Sequence, residues 1–146
     1  MLWTVFHELA ALGKLDLESM GVVMQLTELE RQAIDVALSG PDEWSRQLRE
    51  QVKKLEVQDR KYTGFGFYTR FGCENCTPVV LPERLKYWHP GAWATHPDVQ
   101  NGADGGVAFT LHIKDGILFQ LEGASTTSWP VEESKIGNLT RDESED

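Results

Sequence analysis

The stretch from Val107 to Gly123 constrains this chain more than any other: two runs of alternating apolar residues flank Asp115–Gly116, the pattern of a β-hairpin. Its register follows from asking which side chains must lie inside. A two-residue Asp115–Gly116 turn between regular strands pairs Ile113 with Leu118 and turns Gln120 and Glu122 onto the face of Phe109 and Leu111, where an apolar core rejects them. A three-residue Lys114–Asp115–Gly116 loop, with Gly116 left-handed, instead pairs Ile113 with Ile117, Leu111 with Phe119 and Phe109 with Leu121. The expected inner face is therefore Val107, Phe109, Leu111, Ile113, Ile117, Phe119 and Leu121. Thr110, His112, Gln120 and Glu122 fall on the outer face, which is the first place to look for function.

Upstream the period is helical. Thr27 and Glu30 form a capping-box pattern, and Ala33, Ile34, Ala37 and Leu38 build an apolar face, predicting a helix from Thr27 to Ser39. Gly40 ends it and Pro41 opens a second helix, whose buried stripe is Trp44, Leu48, Val52 and Leu55. Such a helical hairpin cannot cover its own apolar faces and must pack on something else. After Leu55 the period becomes alternating. Phe65, Phe67, Thr69 and Phe71 are expected on one face of a strand, with Tyr62, Tyr68 and Arg70 on the other, while Gly64 and Gly66 mark a bulge or a close backbone approach. Residues 72–106 read as long loops with short strands near Pro78–Leu81 and Ala92–Thr95. The fold class that follows is α+β, an N-terminal helical hairpin packed on an antiparallel sheet. Residues 24–130 form its single domain. Residues 1–23, where Leu2, Val5, Phe6, Leu9 and Leu12 recur at helical spacing, are a short helix or an extension, and residues 131–146 an acidic, flexible tail.

Composition narrows the function classes. A chain of 146 residues with 40% hydrophobic and 25% charged side chains is long enough to bury one core. Its formal charge of −9 argues against binding phosphate backbones and favours a basic protein partner. No apolar run reaches the length of a membrane span, and the N-terminus lacks the basic and apolar regions of a secretory signal, so the expected location is the cytoplasm.

Three constellations carry chemistry. Cys73 and Cys76, followed by His89 and His96, have the first spacings of a zinc finger, although Pro90 forbids the helix that would hold both histidines there; zinc is the one cofactor they suggest, against two unbound loop cysteines. Thr63–Gly64–Phe65–Gly66–Phe67–Tyr68 resembles the RNP1 strand of RNA-recognition domains. It lacks the basic first residue and the second aromatic strand, and Phe65 and Phe67 read more simply as core. His112 and Glu122 on the outer hairpin face, with Tyr62, Tyr68 and Arg70 from a neighbouring strand, could furnish an acid–base pair or a ligand pocket. Antiparallel sheets also solvate one face with such residues for no further purpose.

The succession Tyr62–Thr63–Gly64–Phe65–Gly66–Phe67, Gly106–Val107–Ala108–Phe109, Asp115–Gly116 and Leu121–Glu122–Gly123, ending in Trp129–Pro130, resembles a family of small uncharacterised bacterial proteins with a helical front and a TG-x-GF strand. That likeness spans roughly Leu26 to Pro130 and implies no activity. The expected function is therefore a non-catalytic, small acidic interaction module, immunity- or inhibitor-like, that masks a basic partner. A ligand-binding protein or enzyme using the outer hairpin face is the alternative, and a structural zinc protein the second.

Overall fold

The computed structural model describes residues 24–95, 106–125, 129 and 136–142. It is an α+β arrangement in which two helices, α1 (Glu28–Ala37) and α2 (Glu43–Val52), cover one face of a six-stranded antiparallel sheet. The strands are β1 (Glu56–Tyr62), β2 (Gly66–Gly72), β3 (Gly91–Ala94), β4 (Val107–Lys114), β5 (Ile117–Ser125) and β6 (Thr140–Arg141), ordered β1-β2-β5-β4-β3-β6, with a turn of 3-10 helix at Glu83–Leu85. Helix α1 lies over β3 and β4, and α2 over β5. The expected segment 1–23 lies outside the described residues.

The capping box forms as its residues predict: Glu30 N donates to Thr27 Oγ1 at 3.1 Å and Thr27 N to Glu30 Oε1 at 2.7 Å. Helix α2 starts later than expected, because Asp42 rather than Pro41 makes its cap, accepting from Ser45 N at 2.7 Å. In its first turn Arg46 and Gln47 donate to the exposed Glu43 carboxylate and hold its pKa down at about 2. Leu48 is fully buried, while Trp44, Val52 and Leu55 pack at the margin of a core centred on Ile34, Leu38, Phe67, Phe109, Leu111 and Leu121. Trp129 closes one end, its ring 5.2 Å from that of Phe67 and 5.8 Å from that of Phe109.

The β4–β5 hairpin corrects the expected register. Asp115 (φ 54°) and Gly116 (φ 78°) are both left-handed, which is the two-residue turn that matches strand twist. Ile113 therefore faces Leu118, but His112 faces Gln120, and one step on Leu111 faces Leu121 and Phe109 faces Gly123. The extra residue is Phe119, inserted as a β-bulge. The bulge returns Leu121 to the inside without a longer loop, so Leu118 is the buried residue and Ile117 and Phe119 leave the expected inner face. Gln51 makes this arrangement possible. Its buried side chain accepts from Leu118 N at 2.9 Å and donates to Gly116 O at 2.9 Å and Thr77 O at 3.0 Å.

Four further expectations change. Residues 56–72 form two strands joined at Thr63–Gly64–Phe65, and Tyr62 opposes Phe67, so Tyr62 sits on the helix-covered side with its ring 5.9 Å from that of Phe67. Phe65, expected in the core with Phe67, is 66% exposed in that turn. Pro78–Leu81 forms no strand, although Val79 N donates to Gly116 O at 2.9 Å; Gly91–Ala94 does form one. Within the segment expected as a flexible tail, Thr140 and Arg141 pair with Trp93 and Ala92.

Gly66 is a close approach of backbones, as its sequence context suggests. A Cβ there would fall 1.8 Å from Gly123 O on the neighbouring strand. Gly66→Ala is expected to lower stability by about 2 kcal/mol in urea unfolding, as overpacking against an immovable backbone does. The outer edge, β1, is shielded from pairing with other chains by the bulge at Gln58, by Lys61 and by the inward-pointing Arg60.

Candidate functional site: the open face of the sheet

Because the helices take one side of the sheet, alternation along each strand decides what the other side displays. On β2, Tyr68 and Arg70 are exposed between buried Phe67, Thr69 and Phe71. Register places Tyr68 beside Glu122 and Lys61, and Arg70 beside Gln120 and Asp59. Thr110 faces Glu122 and His112 faces Gln120 across β4 and β5. Of the seven residues expected on this face, the structure brings Tyr68, Arg70, Thr110, His112, Gln120 and Glu122 together and leaves out Tyr62, which the β1–β2 turn carries to the other side.

The face is continuous and amphipathic. Arg70 lies over the Phe119 ring with Cζ 5.6 Å from the centroid, and Lys114 Nζ approaches the same ring at 5.4 Å. These cations brace the aromatic ring that the bulge turns outward. Trp93 on β3 is 50% exposed. A shallow hollow of about 260 Å³ is lined by Asp59, Lys61, Tyr68, Arg70 and Gln120. His112 Nε2 lies 3.1 Å from Glu122 Oε1, both side chains being about one-third exposed, and the His89 ring is 5.0 Å from that of His112. No described helix crosses over these residues, and among the described residues no helix is long and apolar enough to cross a membrane.

The expected zinc set does not assemble. Cys73 and Cys76 are joined as a disulfide, which removes both thiolates that a zinc ion would need. His89 packs on His112 instead of on the cysteines, and His96 lies outside the described residues. Among the described residues no three His, Cys, Asp or Glu side chains are grouped to hold a metal ion. Phe67 is in the core at 2% exposure and cannot serve as the base-stacking platform that the RNP1-like pattern would require.

Several residues of the face escape a reading of sequence alone. Asp59 and Lys61 lie on a strand with little apolar alternation, Phe119 comes outward only through the bulge, and Trp93 follows a proline-rich loop. Acidic and basic side chains nearly cancel among the described residues, so most of the formal charge of −9 lies outside them. Comparison with known proteins adds no relative: no protein-family model, curated protein or solved structure matches the chain.

Proposed function

We propose that this protein is a non-catalytic interaction module that presents the open sheet face to a partner protein. The observation that carries the reading is a six-stranded sheet that the described helices cover on one side only, with Tyr68, Phe119 and Trp93 interleaved with Arg70, Lys61 and Asp59 on the other. Aromatic and arginine side chains of this kind dominate the energetics of protein interfaces, and charges around them fix orientation. An immunity- or inhibitor-like role fits this arrangement. The acidic charge of the whole chain steers a basic partner during approach, while the balanced charges on the face itself leave the contact to the aromatic residues. Pull-down from source cells at moderate salt is expected to recover a stoichiometric protein partner, lost with the Tyr68→Ser/Trp93→Ser variant while its circular dichroism stays native. Absence of such a partner, or undiminished capture by the variant, rejects the reading.

One observation favours a second reading, a ligand-binding or acid–base site: the contact of His112 with Glu122 at 3.1 Å. If small-molecule thermal shifts of the wild type persist unchanged in His112→Ala and Glu122→Ala, that site is not where the ligand binds. For location, the sequence favours the cytoplasm, whereas a disulfide between Cys73 and Cys76 persists chiefly in oxidising compartments. Alkylation in freshly lysed cells separates the two, with labelled thiols expected if the protein resides in the cytoplasm.

A further inference from the structure

Two of the chain's four histidines meet across the β3–β4 ladder. Gly91 pairs with Thr110 and Ala92 with Phe109, and Leu111 N donates to Pro90 O at 2.8 Å. The same ladder thus continues past Gly91 and sets His89 directly opposite His112. Opposed residues of an antiparallel pair project from one face with Cβ atoms about 5 Å apart. Here the ring centroids are 5.0 Å apart with an interplanar angle of 56°.

That separation suits shared coordination. Two imidazoles bound to one divalent ion, with metal–nitrogen distances of about 2.0–2.1 Å and bonds about 90–110° apart, place their ring centres about 4.5–5.2 Å from one another. Glu122 Oε1 lies 3.1 Å from His112 Nε2. An Nε2–H donated to that carboxylate fixes the tautomer and leaves Nδ1 bare, the arrangement in which a backing carboxylate orients a ligating histidine. The backbone bond at Pro90 and the ladder below it hold both residues before any ion arrives.

We infer that His89 and His112 form a two-histidine site for a borderline divalent transition metal (Zn²⁺, Ni²⁺ or Cu²⁺), with Glu122 as the carboxylate behind His112 and water in the remaining positions. The site differs from a set built on Cys73 and Cys76, whose sulfurs are bonded to each other. It is independent of the partner reading: loss of metal binding leaves the pull-down result untouched, and failure of the pull-down leaves the metal result untouched.

Isothermal titration of the full oxidised chain with nickel sulfate or zinc chloride, without thiol reductant, tests it. One saturable equivalent is expected, weakened at least about tenfold in His89→Ala and in His112→Ala, and about 10–100-fold in Glu122→Gln, which removes no ligand. His89 is exposed, and a thermal unfolding curve of metal-free His89→Ala that matches the wild type excludes a folding defect. Absence of saturable binding overturns the inference, as does binding undiminished in the His89→Ala/His112→Ala double variant.

Discussion

Substituting Arg60 by methionine is expected to lower the unfolding free energy by about 3–5 kcal/mol, the usual cost of stripping one partner from a buried ion pair. Arg60 and Glu30 are 1% and 2% exposed, and they tie the first turn of α1 to the edge strand β1. Glu30 accepts from Arg60 Nε at 2.9 Å, from Arg60 Nη2, from the Thr69 hydroxyl and from Thr27 N at 2.7 Å, so a single carboxylate serves both the helix cap and the core. Arg60 Nη2 also donates to Gln25 O at 3.0 Å, pinning the chain that enters the helix. Without the guanidinium, the Glu30 carboxyl loses its ion-pair partner in a place water does not reach.

Removing both charges should cost much less. The Glu30→Leu/Arg60→Met double variant is expected to recover most of the loss, retaining a deficit of about 1 kcal/mol from the broken capping box. Arg60→Lys should rescue little, because an ammonium cannot reproduce the two-pronged contact with the carboxylate. Urea unfolding of the four-variant cycle measures this directly. Single costs that simply add would show that Glu30 and Arg60 act separately, against the network described above.

Gln51→Leu is the second large effect, expected at about 3 kcal/mol, because an apolar side chain there strands buried backbone groups. Leu118 N, Gly116 O and Thr77 O lose their Gln51 partner together, while Gly116 O keeps Val79 N. The damage should concentrate at the tip of the β4–β5 hairpin. Hydrogen exchange of the Leu118 amide is expected to accelerate well beyond that of Leu111, which lies in the ladder away from Gln51. Uniform acceleration of both amides would mean that Gln51 supports global stability and not this turn.

The contrast between these two residues and the capping box shows where sequence reasoning succeeds. Thr27 and Glu30 announce a helix start within four residues, and the cap forms as written. Yet nothing in that pattern says that Glu30 also receives Arg60, thirty positions away. Strand β1 was illegible for the same reason: Arg60 stands where alternation asks for an apolar residue, and it is tolerated inside only because Glu30 and Thr69 are there. The candidate face was legible in large part. Tyr68, Arg70, Thr110, His112, Gln120 and Glu122 follow from period two, whereas Tyr62 lies on the other side because a turn at Thr63–Gly64–Phe65 separates it from β2.

By itself the sequence determined what short-range physics controls: two capped helices, an alternating region after them, a hairpin at Asp115–Gly116 and a polar outer face carrying His112 and Glu122. Each depends on side chains and backbone angles within a few residues. Tertiary structure decided between alternatives that are locally equivalent. A longer loop and a bulge at Phe119 both bring Leu121 inside, and the bulge is observed with Gln51, 67 residues from Leu118, accepting that residue's amide. Cys73 and Cys76 bond to each other while His89, which shared their motif, stands across the ladder from His112. Burial removes water as the default partner of every polar group, so the distant group that replaces it selects the register and the site.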